Sequence, residues 1–419
     1  MLLEFLCSNH KSIRRPVLFS TVASKDRSNM ELLTSFNGND ILRSAVLYGA
    51  NGSGKSNFID AISFVRNLVL NSINHQPGEG IRQTPHKLET ASTDSEYRIQ
   101  FVANDIRYAF GFVLKDFLVK EEYLYFFPNG RRTKIYERKA EKFSTGIKFR
   151  NKLATCKDVL KPNRLLLSCA ANFSNVEEIV TAYNFFRDEL IIYTPETSDE
   201  IWMNYSLKKL SEDEVLKTSV VKLMRSLGVD LCDIKITIES PENIIEKIAL
   251  PNFLSDEFKE KLLHERIKAI NAKVIYKAFE TDLLSEESTG IKKIIAILCP
   301  FIDIMTKGKT IVCDELETSL HEALLQGLLH LFISNSPNKK SQLIFSTHDT
   351  SLLDLDYFRR DQIWFTELRN EDRSTDLFSL AEIKNVRKDK RFGKGYIEGR
   401  YGAIPMLNLN FADIIPNLK

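Results

Sequence analysis

The sequence lacks the features of several large classes of protein. Its six cysteines are scattered, with no Cys-x-x-Cys pair and no neighbouring histidine, which argues against a zinc site or a disulfide framework and is typical of a reducing compartment. No apolar run reaches the roughly 20 residues that a membrane helix needs. The amino-terminal MLLEFLC is too short for a signal peptide and contains Glu4. We therefore expect a soluble, cytoplasmic protein without a membrane partner.

A strong net charge and internal repeats are absent as well. The formal net charge is +2 over 419 residues, so the chain as a whole does not have the basic character of a nucleic-acid-binding protein. The charge is unevenly distributed, because residues 114–165 contain 14 Lys and Arg against 6 Asp and Glu. This basic segment is either a solvated surface or a contact for a phosphate backbone or an acidic partner. No heptad pattern is sustained long enough for coiled-coil arms.

Three apolar, β-branched runs predict the core of the fold. SAVLY, TIVC and QLIFS each end at a polar residue, and helical patterns follow. Strands alternating with helices predict a parallel sheet with ligands at the carboxyl ends of its strands. The long insert after the first run reads as a β-meander, from YRIQF to EEYLYFFP, and then as a mostly helical lobe from about Asn172 to Phe279.

We therefore predict an α/β fold with a mixed, mostly parallel sheet, a β-meander subdomain and a helical insertion. The predicted division has three parts. Residues 1–170 hold the first half of the core and the meander, residues 171–280 form the mainly helical lobe, and residues 281–419 complete the core.

GANGSGKS, residues 49–56, fits the pattern G-x-x-x-x-G-K-[ST] between a strand and a helix, which is the context of a phosphate-binding loop. Backbone amides and the helix N-terminus would bind phosphate oxygens. Lys55 would bind the β- and γ-phosphates, and Ser56 would ligate Mg²⁺. A nucleoside triphosphate with Mg²⁺ is the expected ligand. The predicted nucleotide-binding residues of this segment are Gly49, Asn51, Gly52, Ser53, Gly54, Lys55, Ser56 and Asn57.

Two further motifs follow the later apolar runs. Asp314, after TIVC, would hold Mg²⁺ directly or through water, and Glu315 would orient and deprotonate the attacking water. A pair of adjacent carboxylates can also be a helix N-terminal charge. In QLIFSTHD, His348 would lie beside the γ-phosphate and sense or stabilise its developing charge. We predict Glu315 and His348 as catalytic residues and Asp314 as a metal ligand.

LLSEESTGIKKIIAIL, residues 283–298, opens a long apolar helix with a serine and a glycine. Together with the phosphate loop, the Asp-Glu pair and Ser-Thr-His, it resembles the ATP-binding-cassette (ABC) ATPases of the SMC, Rad50, RecF and OLD type. The resemblance implies that Ser288 and Gly290 belong to the signature motif, although Ser-Thr-Gly departs from the familiar LSGGQ. In such ATPases the signature serine reaches the nucleotide held by the other subunit, which implies a homodimer or a higher oligomer.

The same resemblance extends to other segments. ETSLH, residues 317–321, matches the loop that meets the partner subunit. LLEFLCSNHKSI is similar to the family's first strand and following turn, which implies that Lys11 touches phosphate, a plain surface lysine being the alternative. The family also has a glutamine that links Mg²⁺ to the neighbouring domain, for which Gln83 and Gln100 are candidates.

The meander, the helical lobe and the terminal GRYGAIP resemble a subgroup of small bacterial ATPases, the AAA15/AAA21 type. These occur in anti-phage defence modules such as PARIS, the abortive-infection pair with RloB, and Septu or retron systems. The resemblance implies an ATP-driven switch that senses infection through a nucleic acid or a phage protein. It would control a separate effector, such as a TOPRIM or RloB-like nuclease, because about seventy residues after His348 are too few for a TOPRIM domain.

Two other functions stay open. One is a RecF- or Rad50-like DNA-repair ATPase that binds DNA through residues 114–165, and the other is a nuclease whose site is not recognised. Residues 387–405 are basic and Gly-rich, so they are either a contact for a partner or a nucleic acid, or a solvated tail.

Overall fold

A computed structural model describes residues 1–90, 92–239, 269–335, 338–353, 357–383 and 392–403. The chain forms two compact units. The first unit comprises Met1–Ile192, Gly308–Leu316 and Lys339–Lys419, and the second comprises Tyr193–Lys307 and Glu317–Asn338. Each unit is therefore assembled from segments that are distant in sequence. Within the described ranges, no helix has the length and apolar character needed to cross a membrane.

The strands of the described ranges are β1 (Leu2–Ser8), β2 (Val17–Ser20), β3 (Leu33–Phe36), β4 (Asn39–Leu42), β5 (Ser44–Tyr48), β6 (Ser95–Ala103), β7 (Ile106–Lys115), β8 (Leu118–Phe126), β9 (Thr133–Lys139), β10 (Lys142–Thr145), β11 (Leu190–Tyr193), β12 (Asp233–Glu239), β13 (Ala269–Ile275), β14 (Glu280–Asp282), β15 (Thr310–Cys313), β16 (Gln342–Ser346), β17 (Ile363–Leu368) and β18 (Thr375–Ser379). The α-helices are α1 (Lys55–Asn71), α2 (Cys156–Val159), α3 (Leu166–Phe173), α4 (Glu177–Asn184), α5 (Pro195–Glu212), α6 (Glu214–Ser226), α7 (Thr289–Lys307), α8 (Glu322–Asn335) and α9 (Phe392–Ile397).

A six-stranded sheet carries the three apolar runs, in the order β11-β15-β16-β5-β17-β18. β15, β16, β5 and β17 are parallel to one another, and β18 is antiparallel to β17. Every residue of β5, β15 and β16 is buried, as is usual for parallel strands covered on both faces. The predicted α/β fold with a mixed, mostly parallel sheet is confirmed.

The side-chain amide of Gln342 joins the amino-terminal ends of these strands. Its Oε1 accepts hydrogen bonds from the amide of Leu2 at 2.6 Å and from Thr310 Oγ1 at 2.9 Å. Its Nε2 donates to the carbonyls of Leu2 at 3.0 Å and Leu42 at 3.1 Å. Thr310 is the register partner of Gln342 on β15, and Leu42 ends β4 just before β5. A buried amide is stable only when its donors and acceptors are paired, so Gln342 favours this one alignment.

A seven-stranded antiparallel sheet, in the order β10-β9-β8-β7-β6-β1-β2, contains the predicted meander as β6 to β9. Helix α1 packs against it: the ring centroid of Phe58 lies 5.7 Å from that of Phe5 on β1 and 5.5 Å from that of Phe19 on β2. The same apolar core includes Ala45 and Leu47 of β5. The phosphate loop thus connects a strand and a helix that share one core.

The second unit contains strands that the prediction of a mainly helical lobe over residues 171–280 did not include. Helices α4 to α6 lie in this range, but β12, β13 and β14 form an antiparallel sheet there. In β13 the buried side chains of Ala272 and Val274 are two residues apart, which is the period of a strand. The sequence prediction extended the helical pattern of the preceding residues over β13. Residues 240–268 lie outside the described ranges.

The boundaries of the units also differ from the predicted division after residues 170 and 280. The first unit continues to Ile192, and helix α7, expected to belong with the second half of the core, belongs to the second unit. The reason is packing: α7 lies in the same compact unit as α5 and α6, whereas β15 pairs with β16 and lies in the first unit.

A buried ion pair ties the meander to helix α3. Arg138 Nη1 lies 3.2 Å from Glu122 Oε2, and neither side chain is exposed. Glu122 also accepts hydrogen bonds from the Tyr136 hydroxyl at 2.7 Å and from the amides of Leu166 and Leu167 at 2.7 and 2.9 Å. Because Leu166 begins α3, the carboxylate satisfies amides that the helix itself leaves unpaired. One side chain therefore connects β8, β9 and α3.

We expect Glu122→Gln to lower the free energy of unfolding by about 3 kcal/mol, because removing one partner leaves the Arg138 charge buried and uncompensated. Glu121→Gln, at the exposed neighbouring position of β8, should change it by less than about 0.5 kcal/mol. Urea unfolding followed by tryptophan fluorescence measures both variants. Equal effects of the two substitutions would contradict a special role for the buried pair.

Candidate functional site

The phosphate loop leaves β5 at Gly49 and enters α1 at Lys55. Gly54 caps α1 with φ +110°, a conformation that other residues rarely adopt. A Cβ atom at Gly54 would also collide with the hydroxyl of Thr375 on β18, and one at Gly49 would collide with Thr366 on β17. Both glycines are thus required by the close approach of β17 and β18 to the loop.

The side chain of Lys55, at the start of α1, folds back into the phosphate loop. The residue is 5% exposed, and its ammonium donates hydrogen bonds to the carbonyl of Gly49 at 2.8 Å and to that of Ala50 at 3.4 Å. These acceptors are neutral, and hydrogen bonds to charged phosphate oxygens are stronger. The position therefore suits the predicted binding of the β- and γ-phosphates by Lys55, for which the ammonium would leave these carbonyls.

A chain of side-chain hydrogen bonds braces the loop from outside. Asn57 Nδ2 donates to Ser12 Oγ at 2.7 Å, and Ser12 Oγ lies 2.7 Å from Thr375 Oγ1. Thr375 Oγ1 donates to the carbonyl of Ser53 at 2.9 Å, while Ser53 Oγ lies 2.6 Å from Thr366 Oγ1. Ser12 lies in the turn that the sequence singled out but was given no role there. Thr366 and Thr375 were not predicted, because nothing in their local pattern indicates contacts with residues so distant in the chain.

The described part of the carboxy-terminal basic segment also contacts the loop. The amide of Ala50 donates to the carbonyl of Ala403 at 3.0 Å, and the Tyr396 hydroxyl donates to the same carbonyl at 2.9 Å. Residues 387–391, 404 and 405 lie outside the described ranges. Residues 392–403, which the sequence suggested as a contact for a partner or a solvated tail, therefore support the phosphate loop.

Asp314 and Glu315 are connected by the hydroxyl of Ser346, at the end of β16. Ser346 Oγ donates to Asp314 Oδ1 at 2.6 Å and accepts a hydrogen bond from the amide of Glu315 at 2.8 Å. Glu315 has φ +46°, a left-handed conformation that is uncommon for a residue with a side chain. The sequence prediction missed Ser346, although its place just before Thr347 and His348 at a strand end was a usable signal.

The carboxyl ends of β15, β16 and β5 meet at one edge of the sheet. Cys313 pairs with Phe345 and Phe345 with Val46, so Asp314, Thr347 and Gly49 each follow one of three adjacent parallel strands. Ligands of open parallel sheets bind at this edge. His348 follows Thr347 and is exposed. The structure therefore brings the three predicted motifs of the first unit to the same edge.

Lys11 lies beside the first turns of α1 rather than on a remote surface. Its ammonium lies 2.7 Å from Asp60 Oδ2, and His10 Nε2 lies 2.9 Å from the same oxygen. Burial alone would raise the pKa of Asp60, but the hydrogen bonds from His10 and Lys11 outweigh it and lower that pKa below its usual value. The phosphate contact of Lys11 stays a prediction.

The two glutamine candidates occupy different places. Gln83 donates to the carbonyl of Asn9 at 3.1 Å and to Ser95, in a segment that also binds the amide of Lys11 through the Thr84 carbonyl. Gln100 lies within β6 and donates to Glu4 of β1. Of the two, Gln83 thus lies in the segment beside Lys11. The role of either glutamine at the Mg²⁺ site stays a prediction.

The signature residues belong to the second unit. Ser288 is exposed, and its Oγ accepts a hydrogen bond from the amide of Ile291 at 3.3 Å, as a cap of α7 does. A Cβ atom at Gly290 would lie 3.1 Å from the carbonyl of Ser319, in the predicted partner-facing loop 317–321. Gly290 thus allows α7 and that loop to approach each other within this unit.

The residues of the first unit fit a magnesium nucleotide. The Asp314 carboxylate and the Ser56 hydroxyl, which is exposed on the first turn of α1, are the hard oxygen ligands that Mg²⁺ prefers. The loop amides and the buried Lys55 supply the positive potential that phosphates need. Bound Mg²⁺ would neutralise charge on the phosphate oxygens.

Fold and site define the class of the protein: it is a phosphate-loop ATPase of the ABC type. A family model described as "AAA domain, putative AbiEii toxin, Type IV TA system" matches residues 44–153 and 239–354. These ranges cover more than half of the chain, and the chain belongs to this family. The predicted relationship to ABC-type ATPases of the AAA21 group is confirmed.

Solved structures of SMC heads are similar to most of the chain. An SMC head bound to the C-winged helix domain of ScpA is 16% identical, with a TM-score of 0.45, and the match covers 90% of this chain and 97% of that one. The SMC head domain from Thermotoga maritima is 15% identical, with a TM-score of 0.41 and 90% and 98% coverage. A head with an extended coiled coil, bound to the ScpA C-terminal domain from Pyrococcus furiosus, is 14% identical, with a TM-score of 0.38 and 90% and 96% coverage. No curated protein sequence matches.

We expect Ser346→Ala to reduce the rate of ATP hydrolysis at least about tenfold while ATP affinity stays within about twofold, because it frees Asp314 and the Glu315 amide without altering the phosphate loop. Ser44→Ala, at the opposite end of β5, removes one hydrogen bond from Gln362 and serves as the matched control. Phosphate release and nucleotide titration measure the two quantities. A Ser346→Ala rate equal to that of the control would show that Ser346 does not organise the site.

Proposed function

We propose that the chain hydrolyses ATP as a switch, with two nucleotides bound between two copies. The observation that carries this proposal is the division of the motifs. The phosphate loop, Asp314, Glu315 and His348 follow adjacent strands of one unit, whereas Ser288 is exposed at the start of α7 in the other. An exposed serine at a helix N-terminus suits contact with phosphate oxygens.

In the proposed reaction, Glu315 deprotonates the attacking water and His348 stabilises charge that develops on the γ-phosphate. Ser346 supports this division of roles, since it binds the backbone of Glu315 and the carboxylate of Asp314. The Glu315 side chain is partly exposed, which suits a base that must reach a water molecule.

We further propose that this switch serves in an anti-phage defence system of the abortive-infection type and controls a separate effector, such as a TOPRIM or RloB-like nuclease. The family description, which names a putative AbiEii toxin and a type IV toxin–antitoxin system, supports this setting. ATP binding would change the assembly, and a nucleic acid or a phage protein would be the trigger.

Mixing two inactive variants tests the sandwich. Lys55→Ala should lose nucleotide binding, because it removes a charged contact to phosphate, and Ser288→Arg should prevent closure. After subunit exchange, half of the dimers hold one doubly altered and one intact site, so about a quarter of the wild-type ATPase activity should return if the sites are independent. Measuring phosphate release before and after mixing gives the answer.

Ser288→Arg alone provides the control for this experiment. It should bind ATP through its own phosphate loop but hydrolyse it at least about a hundredfold more slowly than the wild type. If the variant instead hydrolyses ATP at the wild-type rate as a monomer, Ser288 is only a helix cap and the sandwich is wrong.

A second candidate function is DNA binding by a repair ATPase, and the exposure of the basic segment favours it. Ten of its cationic side chains are exposed: Lys115, Lys120, Arg131, Arg132, Lys139, Lys142, Lys148, Arg150, Lys152 and Lys157. Such a surface binds a phosphate backbone with release of counterions, so the affinity should fall steeply with salt.

If the segment binds DNA, Arg150→Glu and Lys152→Glu together should reduce the slope of log affinity against log salt by about 2, or roughly one for each phosphate that is no longer bound. Lys25→Glu, at an exposed lysine outside the segment, should leave the slope unchanged. Fluorescence anisotropy with a labelled duplex at several salt concentrations measures this. Equal slopes for the two variants would exclude the basic segment as the DNA contact.

A further inference from the structure

Two charged side chains close to Ser288 in the sequence are buried. Glu287, immediately before it, is 9% exposed, and the side chain of Lys293, in the second turn of α7, is 2% exposed. Neither residue is part of the motifs assigned to nucleotide binding. Buried charges are rare unless they are paired, and each of these two is paired with a different element of the second unit.

Glu287 is held by the strand pair β13–β14. Its Oε1 accepts hydrogen bonds from the Tyr276 hydroxyl at 2.9 Å and from Thr281 Oγ1. Burial and, secondarily, the bond to Glu287 raise the pKa of Tyr276 to about 12, so the phenol remains a donor at neutral pH. The residue before Ser288 is therefore fixed to the strands.

Lys293 is held by Asp199 of α5 and by Tyr193, the last residue of β11. Its ammonium lies 3.1 Å from Asp199 Oδ1 and donates a hydrogen bond to the Tyr193 hydroxyl, which itself donates to Asp199. The ammonium also lies 4.6 Å from the centroid of the Tyr193 ring, within the range of a cation–π contact. The start of α7 is therefore fixed to α5 by a closed polar cluster.

Apolar packing does not fill the space beside this cluster. A cavity of about 410 Å³ lies between α5 and the start of α7, and its walls include Met203 and Leu207 on α5, Leu284 before α7, and Thr289 and Ala296 on α7. Close packing usually sets the position of one helix on another. Such packing is present along the two helices, since Leu207 and Ala296 are buried and Ser206 Oγ donates to the carbonyl of Ala296 at 2.8 Å. The polar cluster adds a second restraint at the first turns of α7.

We propose that Glu287 and Lys293 are positioning residues, which hold Ser288 and the first turn of α7 in the orientation that meets the nucleotide of a second copy. The inference rests on the proposed ATP sandwich. Through these two anchors, a displacement of α5 or of β13–β14 changes the orientation of Ser288, so these elements influence hydrolysis without touching ATP themselves.

The test places Lys293→Met in a Glu315→Gln chain, in which hydrolysis is blocked and the ATP-bound dimer accumulates. The monomer should bind ATP with an affinity within about twofold of the parent, whereas the ATP-dependent dimer should be at least about tenfold weaker. In the chain with Glu315 intact, Lys293→Met should lower kcat at least about tenfold. Lys307→Met, in the last turn of α7 and paired with Asp303 on the surface, is the matched control and should behave as the parent.

Milder variants cover the case in which Lys293→Met does not fold. Asp199→Asn alters the partly exposed end of the cluster and should weaken the dimer in the same direction. At the other anchor, Glu287→Leu should lower kcat. Glu287→Gln keeps an acceptor oxygen for Tyr276 and Thr281, so its kcat should be at least about fivefold higher than that of Glu287→Leu.

The outcomes separate this inference from the proposed function. If the Glu315→Gln parent forms no ATP-dependent dimer, the proposed sandwich itself is wrong. If the parent dimerises and the folded Lys293→Met or Asp199→Asn variant dimerises and turns over equally well, the positioning role is wrong. Loss of ATP binding by the monomeric variants would also overturn it, because positioning of Ser288 should not affect the phosphate loop of the same chain.

Discussion

The relative positions of the predicted catalytic motifs depend on the alignment of three parallel strands, and one buried amide holds that alignment at the amino-terminal end. Gln342 bonds to Thr310 of β15, to Leu42 before β5 and to Leu2 of β1. A slip of one residue would turn the side chains of a strand to the opposite face. It would also leave the amide of Gln342 unpaired in the core, which costs about 1–3 kcal/mol for each group. The positions of Asp314 and Thr347 at the other end follow from this register.

The sequence was sufficient for those parts of the site that local patterns specify. The phosphate loop, the strand ends at Asp314 and Thr347, and the meander could be predicted, because each has a distinctive composition or spacing. β13 could not be predicted. It is a short strand next to a charged helical segment, and its sequence does not differ enough from that segment to mark a change of structure. The bracing of the loop by Thr366 and Thr375 could not be predicted either, since only the folded sheet brings these residues to Ser53.

The phosphate loop is held in place largely by contacts within the protein itself. Ser53 is bonded to two threonines on β17 and β18, which hold the backbone of the loop in place. Preorganised donors do not have to reorient when charge arrives, and this saves reorganisation energy. The Ser346 hydroxyl does the same for Asp314 and for the amide of Glu315. Hydroxyl groups that flank the predicted motifs thus hold the phosphate loop, Asp314 and the backbone of Glu315 in place.

The position of β5 in its sheet has a consequence for synthesis of the chain. β5 lies between β16 and β17, both of which come from near the other end of the sequence. Until those segments have left the ribosome, β5 has no parallel partner on either edge, and neither threonine that braces the loop is present. A sheet assembled from such distant segments forms slowly, and its unpaired edges are exposed to aggregation. A ribosome-bound nascent chain that ends before β16 therefore displays the complete glycine-rich loop but cannot yet form a nucleotide site.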